Sequence, residues 1–134
     1  MNAGALPFLC RLLRHIRSTV VKEAAWTVSN ITAGNTNQIE AVVQADILPV
    51  LVHVLANGDA KSQKEAAWAV TNLTSGGTPQ QLAALINAGA IPAMCNLLTC
   101  KDAKTVEVIL DGITSLLAVS ICLVGEFHTN NCHA

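Results

Sequence analysis

Apolar positions recur along the chain at helical rather than strand spacing, in three kinds of segment. Between residues 21 and 31, Val21, Ala24, Ala25, Val28 and Ile31 share one side of a helix. Glu23, Trp26 and Asn30 lie on the other side, with Trp26 and Asn30 each about 160° from Val28 on the helical wheel. The pattern is written again 42 residues later, with Ala66, Ala67, Val70 and Leu73 opposite Glu65, Trp68 and Asn72. Lys22–Asn30 and Lys64–Asn72 differ only at Thr27/Ala69 and Ser29/Thr71. A second kind of segment starts near Pro7, Pro49 and Pro92 and runs apolar behind each proline. Proline fits the first turn of a helix because its missing N–H has no partner there. The third kind, Asn35–Ala45 and its echo Gly77–Ala88, opens on capping or turn residues and then runs apolar at i, i+3 and i+4.

These segments predict a unit of a short helix, a second helix entered at a proline, and a longer third helix carrying Trp and Asn. Turns at Asn57-Gly58-Asp59 and Lys101-Asp102 join the second helix to the third. A fixed period of this size marks stacked units. The expected fold is all-α, a solenoid of about two and a half three-helix repeats. Residues 1–34 hold a partial repeat with its second and third helices, and residues 35–76 a complete one. Residues 77–117 form a variant in which Leu110 replaces Trp and Thr114 replaces Asn. Residues 118–134 match nothing upstream and are expected to form a divergent, disordered tail.

Composition narrows the function classes. Hydrophobic residues make up 51% of the 134 residues and aromatics only 3%, with no Tyr, which favours Ala/Leu/Val/Ile helix packing over a β-sandwich. Eight basic and nine acidic residues leave a net charge of −1 and no nucleic-acid footprint. Five cysteines form no CxxC pair, and the N-terminal arginines follow rather than precede the apolar stretch. Reduced thiols and an intracellular location are expected. The most apolar window, Ile113–Val124, is too short for a membrane span, and extending it backwards takes in Glu107 and Asp111. Cys122, His128, Cys132 and His133 fit no zinc-site spacing, so no metal or other cofactor is expected. With no phosphate loop, nucleophile elbow or acid–base pair, enzymatic activity is not expected either.

The face opposite the apolar stripe carries the chemistry. An extended peptide leaves its backbone N–H and C=O groups unpaired, and a carboxamide offers both a donor and an acceptor. Asn30 and Asn72, one per unit, can therefore clamp a peptide backbone without reading its sequence. Indoles of Trp26 and Trp68 brought side by side form a slot for the aliphatic stem of Lys or Arg, whose cationic head gains about 0.5–2 kcal/mol from the ring. Glu23 and Glu65 lie one turn earlier and can meet that head, and Ser29, Thr71 and Ser75 are candidates to supplement the hydrogen bonding. The competing assignments are Trp packing between units, Asn capping the helix ends before Gly34 and Gly76, and Glu on a solvated face.

The three-helix unit resembles the armadillo repeat, with its right-handed superhelical stacking. More narrowly, Trp-Thr-Val-Ser-Asn-Ile-Thr-Ala-Gly-Asn (26–35) and Trp-Ala-Val-Thr-Asn-Leu-Thr-Ser-Gly-Gly (68–77) resemble consecutive repeats of importin-α (karyopherin-α), the nuclear-import adaptor family. The resemblance covers roughly residues 3–117 and extends to Leu110-Asp111-Gly112, which is similar to the ninth repeat, where the family's ladder ends. It implies that Trp26 and Trp68 belong to the seventh and eighth repeats, the minor site for basic nuclear localisation signals. Implied partners are cargo signal peptides, and importin-β only through an N-terminal arm that this sequence lacks; neither nucleic acid nor a membrane is implied. The implied location is cytoplasm and nucleus. The alternative is an armadillo scaffold, or a truncated product, that serves protein–protein interaction without binding signal peptides.

Stacked repeats draw stability from their neighbours, and the partial first unit is expected to leave Leu6, Leu9, Leu12 and Leu13 short of partners. A marginally stable or self-associating chain follows. Thermal denaturation should show a midpoint below about 65 °C, and a cooperative transition above it overturns the expectation.

Overall fold

The computed structural model describes residues 4–131, with side chains to 122 and at 125. Eight α-helices follow one another among these residues: α1 (Ala5–Leu12), α2 (Ser18–Thr32), α3 (Thr36–Gln44), α4 (Leu48–Asn57), α5 (Ala60–Gly76), α6 (Pro79–Asn87), α7 (Ala90–Asn96) and α8 (Ala103–Asn131). A 3-10 turn, Leu97–Thr99, extends α7. The described residues contain no strand.

Local chemistry accounts for the helix starts. Asn35 and Thr78 each accept a hydrogen bond from the backbone of the third helical residue, Gln38 or Gln81, whose side chain accepts in return from the cap's own N–H. Asp59 caps α5 through the N–H of Ser62. Pro49 and Pro79 occupy the first turns of α4 and α6. The links from α3 to α4 and from α6 to α7 turn through left-handed residues, Asp46 (φ 59°) and Gly89 (φ 89°). Glycine takes that conformation freely, and Asp is among the few other residues that visit it.

Like stacks on like. The third helices α2, α5 and α8 form one layer, with α2 against α5 and α5 against α8; α4 packs on α7 and α3 on α6. Small side chains let the third helices approach. Ala24, Ala25, Ala66, Ala67 and Ala69 are buried, and the larger Val28, Val70, Leu51, Leu55 and Leu73 fill the space behind them. Hydroxyl groups then bond across the helix pairs: Ser62 Oγ to the Ser18 carbonyl (3.3 Å), Thr32 Oγ1 to Ala69 (2.8 Å) and Thr71 Oγ1 to Val108 (3.0 Å). Gly112, in the place of Val28 and Val70, extends this economy of size. A Cβ there would stand 2.7 Å from Thr71 Oγ1 and 2.6 Å from Met94 Cε.

Three expectations are revised. Leu6, Leu9 and Leu13 are buried despite the partial first unit, because the first unit's own α2 and its neighbours cover them. Residues 118–131 continue α8 instead of forming an irregular tail. No proline interrupts the run from Ala118 to Asn131, and an established helix elongates cheaply even through residues of modest propensity. Cys132 and His133 lie outside the described residues. Because α8 does not break at Ala118, Ala103–Cys122 is long and apolar enough, by length and composition only, to cross a membrane (mean hydropathy 1.7). Its Val108, Ile109 and Leu116 are nonetheless buried in the solenoid, and Glu107 and Asp111 are exposed on the same helix.

Gln81 ties one unit to the next through polar atoms. Its Nε2 donates to the Thr36 carbonyl (3.1 Å) and to Glu40 Oε2 (2.8 Å) while its Oε1 accepts from Thr78. Hydrogen bonds from Gln44 and Gln81 hold the Glu40 carboxyl below its ordinary value of 4.5. The Thr105 hydroxyl and Lys64 do the same for Asp102, below 3.8. Lowered folded-state values mean that these contacts stabilise at neutral pH and are lost as the pH falls through those values. The melting temperature should therefore be level above about pH 5 and decline below it, and less steeply in Glu40→Gln/Asp102→Asn. Equal slopes for the two proteins would exclude the assignment. Gly112→Ala should lower the urea midpoint, although alanine in an open helix position adds about 1 kcal/mol; a raised midpoint would show that α5 and α8 are not in close approach.

Candidate functional site

The stacking of α2 on α5 and of α5 on α8 sets Trp26, Trp68 and Leu110 at equivalent positions of successive third helices, with Asn30, Asn72 and Thr114 one turn beyond. Glu23, Glu65 and Glu107 precede them by one turn. Trp26 is 51% exposed, so it is not core packing between units. Trp68, with a neighbouring unit on each side, is half-buried against the core. Leu110 is 50% exposed and supplies no aromatic face.

The two carboxamides are placed differently. Asn30 is exposed, and its side chain makes no hydrogen bond among the described residues. Asn72 Nδ2 donates to the Ser29 carbonyl across the helix pair (3.0 Å), leaving its oxygen and second N–H for a ligand. Neither caps a helix: α2 runs past Asn30 to Thr32 and α5 past Asn72 to Gly76. The Asn72 bond also fixes the register of the ladder, since it anchors the second rung to the turn that follows Trp26.

Hydroxyl groups expected to supplement the ladder have mostly been drawn into packing. Ser29 and Thr71 are 5% and 7% exposed, and their hydroxyls donate to the carbonyls of Trp26 (2.6 Å) and Val108 (3.0 Å). Both sit where a third helix meets the next one, a position that a wheel drawn for one helix cannot separate from the open face. Ser75 is exposed, and its hydroxyl donates to the Thr71 carbonyl (3.3 Å).

Charges surround the rungs. Glu23 is exposed and pairs with Lys22 (3.4 Å). Glu65 is half-buried and has no ion pair among the described residues. Around Trp68, Lys64 pairs with Asp102 (3.1 Å) and Lys104 with Glu107 (3.4 Å). Lys104 also lies over the Trp68 ring, its Nζ 5.7 Å from the centroid, within the range of a cation–π contact. Nothing in the helical pattern singled out Lys104, because its reach across to α5 depends on how α8 is docked.

Cysteines 10, 95, 100 and 122 are free thiols. Among the described residues no three His, Cys, Asp or Glu side chains gather to hold a metal.

Residues 1–33, 35–75 and 78–118 each match the armadillo/beta-catenin-like repeat. Over 108 residues, 81% of the chain, the sequence is 48% identical to importin subunit alpha-4 of Arabidopsis thaliana and covers 20% of it. A stretch of 45 residues, 33% of the chain, is 53% identical to importin subunit alpha-1a of Oryza sativa subsp. japonica and covers 9% of that protein. The chain thus spans a fifth or less of these relatives' length. An engineered protein of known structure superposes with a TM-score of 0.80 at 37% identity, over 84% of this chain and 46% of its own. A designed armadillo repeat protein in complex with the peptide (KR)4 superposes with a TM-score of 0.78 at 31% identity, over 87% of this chain and 53% of its own. With three matched repeats along most of its length, the chain belongs to the armadillo/beta-catenin-like repeat family and has importin α subunits among its relatives.

Proposed function

We propose that the chain contributes a peptide-binding surface to a nuclear-import adaptor of importin-α type, taking Lys/Arg-rich nuclear localisation signals in extended form. The observation that carries the reading is the exposed Trp26 and Asn30 beside Trp68 and Asn72 on two helices held in register. Asn30 and the unspent half of the Asn72 carboxamide would clamp the peptide backbone, and the Trp26 indole would receive a basic side chain. Glu23 and Glu65 would supply the countercharge, with Ser75 as an additional polar contact at the far end. Ser29 and Thr71 support the rungs from behind. Two comparisons lend support: the importin α relatives, and the fold shared with a designed repeat protein that holds a peptide of alternating Lys and Arg.

The adaptor role carries further consequences. Cargo proteins bearing basic signals are the expected partners, and cytoplasm and nucleus the expected compartments. Contact with importin-β would require an arm outside this sequence. An armadillo scaffold for another protein is the alternative, and one observation favours it: Asn72 and Trp68 already have partners within the chain.

Titration with a Lys-rich decapeptide at low salt tests the proposal. Trp26→Ala should weaken binding by roughly 2- to 30-fold, the equivalent of about 0.5–2 kcal/mol, and Asn30→Ala by roughly fivefold. Affinity should also fall as salt is raised, since exposed charges are screened. If Trp26→Ala and Asn30→Ala bind as the parent does, the scaffold reading replaces the adaptor reading.

A further inference from the structure

The second rung differs from the first in having a cation on it already. Lys104 lies in the first turn of α8, nearly two turns before Leu110 in the third rung position, and reaches back over the indole of Trp68. On its other side the same ammonium meets Glu107 Oε1 at 3.4 Å. It therefore contacts an indole face and a carboxylate one turn from a rung, the two groups that the ladder offers a basic ligand. Among the described residues no such occupant stands at the first rung. Its counterparts one and two units earlier are Ser62, buried with its hydroxyl on the Ser18 carbonyl, and Val20, which has no charge.

We infer that Lys104 is a specificity-determining residue that acts as a resident ligand of the Trp68 slot and sets where the row of basic ligand side chains ends. The inference rests on the peptide-binding reading above. A peptide lysine that reaches Trp26 finds an open ring. A second one directed at the α8 side of Trp68 must displace an ammonium of its own charge from both the ring and Glu107. Two of the carboxylates near Trp68 are already matched, Asp102 by Lys64 and Glu107 by Lys104, which leaves Glu65 as the one on α5 without an ion pair among the described residues. Beyond Trp68 the face turns aliphatic at Leu110, which offers no further cation–π partner. The surface accordingly selects a short basic peptide whose residue on the α8 side of Trp68 is neutral or acidic, and discriminates against an unbroken basic run.

Both the contact and its consequence can be measured. In the free protein, NMR should show the Lys104 side-chain methylene signals shifted upfield by the indole ring current, and Trp68→Ala should abolish the shift while Trp26→Ala preserves it. Lys104→Ala, at an exposed position, should bind an unbroken Lys-rich decapeptide two- to fivefold more tightly than the parent. The gain should vanish when Trp68→Ala is added, and Lys104→Arg should bind as the parent does. An unshifted Lys104 signal, or equal affinity of Lys104→Ala and the parent, overturns the inference while the adaptor reading stands. If Trp26→Ala leaves peptide binding unchanged, the adaptor reading fails and this inference with it. The free-protein spectrum still shows in that case whether Lys104 rests on Trp68.

Discussion

The close approach of the third helices governs this structure. Alanines along α2 and α5, and Gly112 on α8, reduce the helix surfaces until side-chain hydroxyls reach carbonyls of the neighbouring helix. Such bonds need backbones nearly in contact, so they would be lost if bulkier residues stood at the seam. They also resist sliding. Thr32 on Ala69 and Asn72 on Ser29 fix one helix along the other, so the positions of Trp26 and Trp68 are set at one stagger. Geometry at the exposed rungs is thus decided at the buried seam. A net contribution of about 1 kcal/mol per hydrogen bond matters less here than the single register these bonds permit.

Most of the architecture was legible from local pattern. Proline-led helices, capping residues at Asn35 and Thr78, and the opposition of Trp and Asn to an apolar stripe all depend on neighbours within a turn or two in sequence. That is where helical periodicity and capping chemistry operate. The exposure of Trp26 followed from the same wheel.

What was hidden depended on the neighbouring unit. Ser29 and Thr71 lie between the buried and the open arcs of their helices, and only the placement of α5 and α8 decides that they are covered. Lys104 has four rotatable bonds and no periodic signature, so only docking reveals that its ammonium ends over Trp68. The continuation of α8 past Ala118 escaped notice for a different reason. Likeness to earlier repeats does not govern order there, whereas a helix already nucleated propagates at little cost. Asp46 shows a further limit: its left-handed turn is equivalent to that of Gly89, but an Asp letter does not declare a positive φ as a glycine does.

The uneven rungs have a physical logic of their own. A single indole half open to water is tolerable on a solenoid surface, because isolated apolar side chains of that size are common on folded proteins and become a hazard only in contiguous patches. Three open rungs in line would make such a patch. In this chain the first rung is open, the second is half-buried with an ammonium over its ring, and the third is reduced to a leucine. Aromatic exposure therefore decreases along the stack while the helix seam beneath it remains continuous. The gradient gives the surface a direction that stacked repeats alone would not, since repeats with equivalent rungs present a ligand with several equivalent registers. Lys104 contributes to it by touching the ring of the preceding unit from α8. A ring and an ammonium from successive units thus define an end that neither unit could define by itself.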